Sequence, residues 1–141
     1  MGLDMFLIKS KKMKGLSFDK IFEDGDFEDV GYWRKANQIH NWFVQNVQGG
    51  EDDCGIYEVS QAKLIELRDT CQKVIDTVPG RVIKNADMIA ELLPTAEGFF
   101  FGRNEYDQYY LEDIKETIDI INNILDDTDF EEYTIAYCSS W

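Results

Sequence analysis

The stretch from residue 32 to residue 43 (YWRKANQIHNWF) has the most varied chemistry in the chain. On one amphipathic helix, its basic and amide side chains would lie beside two indole rings, as in a pocket that stacks and hydrogen-bonds a base or a small anion. The alternative is a core helix whose tryptophans pack inside the protein. For the pocket hypothesis the candidate residues are Trp33, Arg34, His40, Trp42, Tyr106 and Asp107.

Signatures of enzyme catalysis are scarce. The sequence has no GxSxG elbow, Walker loop, GxGxxG or HExxH motif. With a single histidine, acid–base schemes are restricted to His40 with a carboxylate, or to pairs of carboxylates. His40 and Cys54 are a possible base and nucleophile, but their spacing does not indicate that they meet. We therefore predict no catalytic residues and do not expect an enzyme.

Metal-binding patterns are equally weak. Residues 24–29 (DGDFED) begin like a calcium loop, but the sixth position is Asp29 instead of glycine and the twelfth is Lys35 instead of glutamate. Three separated cysteines and one histidine do not have the short spacings of a zinc site. An acidic turn at 51–54 (EDDC) could hold a divalent ion loosely or simply face water. We predict no metal and no cofactor, and three reduced thiols with Cys71 buried.

Acidic residues form the strongest pattern. The predicted last helix has many acids and only Lys115 to pair with them, whereas a solvated helix face normally carries both signs. Such a surface serves either solubility, including in a salty host, or the recognition of a basic partner by imitation of nucleic-acid phosphates. The candidate partner-binding residues are Glu112, Asp113, Glu116, Asp119, Asp126, Asp127, Asp129, Glu131 and Glu132, together with Asp24, Asp26, Glu28 and Asp29.

The net charge of −14 is unevenly distributed. Residues 1–18 carry a net +3, residues 19–29 a net −5, residues 30–104 a net −2 and residues 105–141 a net −10. This excess of carboxylates disfavours direct binding to nucleic acid or to an anionic membrane. No apolar run is long enough to span a bilayer, and the first residues lack the features of a secretory signal, so we expect a cytoplasmic protein.

The periodicity of apolar residues predicts the elements that must position these side chains. A strand is expected at residues 2–9, a charged loop to Gly15, and irregular structure over 16–30. A first helix is expected over 32–47, followed by a short extended piece at 56–59. Ser60 is a favourable N-cap for a second helix to Val78, and a third helix is expected over 82–93. The glycine-bracketed aromatic run at 97–103 predicts a strand or tight loop.

The last part of the chain predicts a long helix and a closing strand. Apolar residues spaced three and four apart run through 106–125, and the alternating tail YTIAYCSSW is typical of a strand. Similar stripes on the second and last predicted helices indicate core packing or, alternatively, an exposed dimer seam. We predict one domain over residues 1–141 of the α+β class, with a small antiparallel sheet that includes both terminal strands and packs against three to four helices.

Several of these motifs occur in a familiar order. The opening MGLDM, the helix YWRKANxIHxWFV, the DDC turn, GFFFG followed by EYD, and the final SSW together resemble a widespread family of small uncharacterised phage and prophage proteins. The resemblance extends over most of residues 1–141. It implies no activity and no catalytic residue, but it does imply a phage-encoded accessory protein in the bacterial cytoplasm.

This context, with the acidic surface, predicts an anti-defence inhibitor. It would bind the basic nucleic-acid channel of a host CRISPR effector or restriction enzyme by charge mimicry. A nucleotide-like small-ligand protein or enzyme using the pocket residues is the first alternative. The second is a phage structural or host-takeover protein that binds a partner without mimicry. The oligomeric state stays open.

Overall fold

The computed structural model describes residues 2–12, 15–24, 27–78, 80, 83, 86–96 and 105–141. Four strands and five helices follow one another along these residues. In chain order they are β1 (Asp4–Lys11), α1 (Phe18–Asp24), β2 (Phe27–Arg34), α2 (Asn37–Asn46), β3 (Tyr57–Glu58), α3 (Gln61–Asp76), α4 (Ala86–Leu92), α5 (Gln108–Asp127) and β4 (Tyr133–Ser140).

The strands form one antiparallel sheet in the order β2-β1-β4-β3. The strands nearest the two ends of the sequence lie side by side in its centre, where Leu7 of β1 pairs with Tyr137 of β4. This confirms the predicted α+β class and the sheet built from both terminal strands. The structure has five helices where three to four were expected, because α1 was not predicted.

Most of the core lies on one face of the sheet. Side chains from β1 and β4 pack there against α2, α3 and α5 in a single cluster. The apolar stripes of α3 and α5 belong to this cluster, and Leu67, Cys71, Ile114 and Ile121 are fully buried. The core interpretation of these stripes is therefore confirmed over the exposed dimer seam. On the opposite face, Ile21 and Phe22 of α1 form a smaller cluster with Ile8 and Ala136.

Two predictions for residues 16–47 are wrong. Residues 16–30 are not irregular, since they contain α1 and the first half of β2. The first long helix begins at Asn37 instead of Tyr32, because Tyr32 and Trp33 alternate between the two faces of β2. The helical spacing from Tyr32 arises from a strand residue that happens to stand four positions before Ala36. Nothing in the pattern of apolar residues separates these two arrangements.

Lys35 makes the abrupt change from strand to helix. Its φ of 56° lies in the left-handed region, which residues with a side chain rarely adopt. Its backbone N–H donates to the Leu3 carbonyl, so the connection stays attached to the start of β1. A lysine at this position gives no sign of the turn, as a glycine would.

The remaining boundaries agree with the prediction to within a few residues. The hydroxyl of Ser60 accepts a hydrogen bond from the Lys63 N–H, so the predicted N-cap of α3 is confirmed. The predicted loop begins later than expected, since β1 continues to Lys11. The third predicted helix is found as α4, whereas Val82 and the aromatic run at 97–103 lie outside the described residues.

Candidate functional site

His40 is enclosed by hydrogen-bond partners. Only 1% of its surface is exposed, and its Nδ1 lies 2.6 Å from the Tyr137 hydroxyl while its Nε2 lies 3.0 Å from Oδ1 of Asp52. The Trp141 indole N–H donates to the same Asp52 oxygen over 3.2 Å. Burial raises the pKa of Tyr137 well above its ordinary value, so this hydroxyl remains a donor. We call these four residues the His40 cluster.

The His40 cluster does not have the form of a nucleophile–base pair. Asp52 and Tyr137 lie within hydrogen-bond distance of Nε2 and Nδ1 respectively, which engages both ring nitrogens. Neither nitrogen is left to activate the exposed thiol of Cys54. The arrangement instead attaches α2 to β4 and to the loop that carries Asp52.

The acidic turn at 51–54 uses its carboxylates to hold its own backbone. Asp53 accepts hydrogen bonds from the Gly55 N–H and the Tyr57 hydroxyl, and these bonds lower the pKa of Asp53. Asp52 belongs to the His40 cluster. Among the residues that the structure describes, no group of three or more His, Cys, Asp or Glu side chains is placed to hold a metal ion. All three cysteines are free thiols, with Cys71 buried as predicted.

Both candidate tryptophans lie in the core. Trp33 is 2% exposed and its indole N–H donates to the Thr117 hydroxyl over 2.8 Å. Trp42 is 7% exposed and packs edge-on against Phe43. The candidate pocket residue Tyr106 is half-buried, contacts the Tyr110 ring and accepts a hydrogen bond from the backbone of residue 95. The structure therefore does not bring the six candidate pocket residues together at one open site.

Two of the six, Arg34 and Asp107, do line an open cavity of about 430 Å³. Residues from the end of β2 and the start of α2 form one side, and residues from the start of α5 form the other. We call it the α2–α5 cavity. Its described lining residues are Arg34, Lys35, Gln38, Glu105, Asp107, Tyr109, Tyr110 and Asp113.

Asp113 is the most perturbed carboxyl of the α2–α5 cavity. Burial raises its pKa to about 6, and the negative charges of Glu116, Glu112 and Asp107 add to the shift. The Gln38 side-chain amide donates to it over 3.3 Å, which partly opposes that shift. The sequence placed Asp113 among the exposed partner-binding acids. In the structure it lies at the edge of that surface and turns toward α2.

Arg34 reaches the cavity from a small polar trio on the sheet. Its guanidinium donates to Asp4 over 2.9 Å, and the Tyr32 hydroxyl donates to the same carboxylate oxygen over 2.6 Å. The hydrogen bond from Tyr32 is the main reason that the pKa of Asp4 is lowered. The Arg34 guanidinium is therefore held in place on the sheet by Asp4.

The exposed carboxylates of α5 form a negatively charged surface. We call it the acidic face. Along the helix axis, successive acids are separated by about 4.5–6 Å near its start, since each residue rises about 1.5 Å. In the part of the chain that the structure describes, none of them forms an ion pair. The acidic face consists of Glu112, Glu116, Asp119, Asp126 and Asp127.

Glu28, from the acidic segment 24–29, lies near the end of the acidic face. In the sheet, Glu28 is the partner of Lys9, and the Lys9 ammonium donates to the Asp127 carbonyl over 3.0 Å. Asp29 is exposed on the same strand. Folding thus brings two acidic segments together that are almost 100 positions apart in the sequence. The side chain of Asp24 and all of Asp26 lie outside the described residues.

Two lysines near the start of the chain, Lys9 and Lys12, contact residues that follow α5. Lys12 donates to the Phe130 carbonyl over 2.7 Å, and Lys9 lies 4.7 Å above the Tyr133 ring. These cations partly offset the charge of the neighbouring loop acids, which were also predicted to bind a partner. The loop acids are Asp129, Glu131 and Glu132.

Within the described residues, no helix is both long and apolar enough to cross a bilayer. Comparison of the chain with protein-family models, with curated proteins and with solved structures finds no significant match.

Proposed function

We propose that this protein works in the bacterial cytoplasm by binding a basic protein through its acidic face. The partner class that we favour is a nucleic-acid-binding defence enzyme, such as a restriction enzyme or a CRISPR effector. Carboxylates would occupy the channel that normally holds phosphates. The resemblance to small phage and prophage proteins supplies this context. The proposal makes the protein an inhibitor without catalytic residues of its own.

A single observation carries the proposal: α5 is packed into the core and carries exposed carboxylates that form no ion pair with the described residues. The side of the helix opposite Glu116 packs into the core through Leu111, Ile114 and Ile121, which are at most 3% exposed. The exposed side retains five acids, and only Lys115 opposes them on the helix. Like charges at this spacing cost the free chain stability, and a basic partner would relieve that cost.

The test is inhibition of DNA cleavage by a panel of purified restriction enzymes and CRISPR effectors. We expect at least one enzyme to be inhibited, with the protein and DNA competing for it. Inhibition should fall steeply between about 50 and 200 mM salt, as expected for contacts that replace phosphates. Binding that is indifferent to salt and does not displace nucleic acid would contradict mimicry and favour a structural or host-takeover role.

A matched pair of variants locates the surface. The triple change Glu112→Gln, Glu116→Gln and Asp119→Asn should weaken inhibition about tenfold, at roughly 0.5 kcal/mol for each exposed charge. The control removes the same number of exposed carboxylates from β3, α3 and α4 and should leave inhibition nearly unchanged. Equal losses in both variants would show a dependence on total charge alone. The control changes are Glu58→Gln, Asp76→Asn and Glu91→Gln.

A further inference from the structure

The α2–α5 cavity has opposite charges on its two sides. Arg34 ends β2 and Lys35 follows it, while Glu105 and Asp107 precede α5 and Asp113 lies in its second turn. Its volume of about 430 Å³ lies within the range of sites that hold small molecules. Two tyrosines, Tyr109 and Tyr110, also line it. A ligand that fits this cavity therefore meets cations at one end and carboxylates at the other.

Three of these charged groups, Asp113, Lys35 and Arg34, retain capacity for a ligand. Asp113 accepts a hydrogen bond from Gln38 and, among the described residues, has no cation as an ion-pair partner. Lys35 likewise forms no ion pair with the described part of the chain. Arg34 contacts Asp4 through one terminal nitrogen, and its planar fork has further N–H donors. A bipolar ligand would supply the missing partner at both ends.

The charges also discriminate between classes of ligand. A phosphate or nucleotide would approach a chain of net charge −14 and meet three carboxylates inside the cavity. A polyamine would place its second cation beside Arg34 and Lys35. A zwitterion carries no net charge, and its ammonium and carboxylate match the two sides separately.

We propose that the α2–α5 cavity binds a small zwitterion of the amino-acid class, with its ammonium group toward Asp113 and its carboxylate toward Lys35 and Arg34. Gln38, which is 2% exposed and fixed to both Asp113 and the Tyr110 carbonyl, positions the carboxyl that receives the ammonium. The site does not use the acidic face, so it stands or falls independently of partner binding.

The first experiment screens the twenty common L-amino acids against the full chain by thermal shift, with the best one then titrated by calorimetry. We expect at least one to bind with a dissociation constant in the micromolar to low millimolar range. Its N-acetyl and carboxamide derivatives, which each lack one charge, should bind at least tenfold more weakly. Spermidine and adenosine monophosphate serve as the competing probes. Absence of binding by all amino acids, or tighter binding of either competing probe, would overturn the proposal.

Variants then assign the two ends. Asp113→Asn and Lys35→Gln should each reduce affinity for the best amino acid by about tenfold or more. Asp119→Asn on the acidic face and Lys73→Gln at the end of α3 are the charge-matched controls and should change it less than twofold. Circular dichroism verifies that each variant is folded. Affinity that is unaltered in both cavity variants would show that the amino acid binds elsewhere and would overturn the assignment.

Discussion

Two polar side chains of α2 have opposite roles although only one residue separates them. His40 points toward β4 and has a partner on each ring nitrogen, whereas Gln38 points toward α5 and contacts a carboxyl that lines a cavity. Two positions on a helix differ by about 200° in direction, so the two side chains meet different elements. Buried polarity by itself is therefore no indicator of a binding site in this protein.

The surroundings of His40 and Asp113 differ in how completely the chain supplies partners to the polar groups. In the His40 cluster, the chain itself supplies partners to the imidazole from Tyr137 and Asp52, which strengthens the fold. The pKa of Asp113 is raised because its carboxyl is desolvated and lies near other acids, and no cation of the described residues pairs with it. The His40 cluster therefore stabilises the protein. The desolvated carboxyl of Asp113 lowers its stability, and a ligand could offset that cost.

The largest expected effect comes from removing the aromatic ring beneath the His40 cluster. Phe43 is fully buried and stacks on Tyr137 with ring centroids 3.9 Å apart. Phe43→Ala should lower the free energy of unfolding by about 3–5 kcal/mol, as measured by urea denaturation. Met88→Ala, at a residue that is 54% exposed, should cost less than about 1 kcal/mol. Similar losses for the two variants would contradict the described core.

Tyr137→Phe tests whether the His40 cluster is structural. The variant keeps the stacked ring but leaves Nδ1 of the buried His40 without its partner, so the free energy of unfolding should fall by about 1–3 kcal/mol. The control is Tyr133→Phe on the same strand, where the ring that contacts Lys9 is retained. That control should change stability by less than about 0.5 kcal/mol. An unchanged free energy of unfolding in Tyr137→Phe would show that the cluster contributes little to folding.

Asp113→Asn should do the reverse and stabilise the protein at neutral pH. Folding raises the pKa of this carboxyl from 3.8 to about 6, so the folded chain binds more protons than the unfolded chain between those values. The contribution of Asp113 to the free energy of unfolding consequently falls as pH rises through that window. After allowance for solvent screening, the gain for Asp113→Asn should be about 1 kcal/mol at pH 7.

The pH profile of that gain is the decisive measurement. Urea denaturation of both proteins across the window should show the advantage of Asp113→Asn shrinking as pH falls from about 7 toward about 4, where Asp113 becomes protonated in the folded chain. Asp119→Asn removes an exposed charge of the same helix as the control. A gain for Asp113→Asn that is independent of pH would mean that its carboxyl is not desolvated.

The smallest effect concerns the acidic face. Neutralising Glu116 in the variant Glu116→Gln removes repulsion from Glu112 one turn earlier, which should stabilise the free chain by about 0.2–0.5 kcal/mol at low salt. The gain should vanish near 1 M salt, where charges are screened within about 3 Å. Thermal unfolding at both salt concentrations measures it. An equal gain in high salt would indicate altered packing instead of relieved repulsion.

The sequence was sufficient to predict the helices with strongly periodic apolar residues. It was not sufficient to predict elements that depend on contacts with distant parts of the chain. The stripes of α3 and α5 and the cap at Ser60 were sufficient to predict two helices and their core faces. Seven-residue α1 was missed because its apolar residues, including Ile21 and Phe22, bury themselves only against the second face of the sheet. The left-handed backbone at Lys35, which separates β2 from α2, has no signal in the residue type.

Predictions for the candidate sites depended on contacts in the same way. Arg34 and Asp107 were predicted from the sequence as pocket residues. Their proximity to Gln38 and Asp113 could not be predicted, because β2, α2 and α5 meet only through tertiary packing. Asp113 was predicted to be one of the exposed partner-binding acids, because the charge of a residue does not indicate which side of a helix faces a neighbouring element.

The sequence alone determined the excess of acids, their concentration after residue 104 and the amphipathic character of α5, because these follow from residue types and their spacing. Tertiary structure decided which polar groups are satisfied. It enclosed His40 between Asp52 and Tyr137, and it left Asp113 beside a cavity. The physical reason is that desolvation and hydrogen-bond partners depend on residues far apart in the chain, whereas charge and periodicity are local properties.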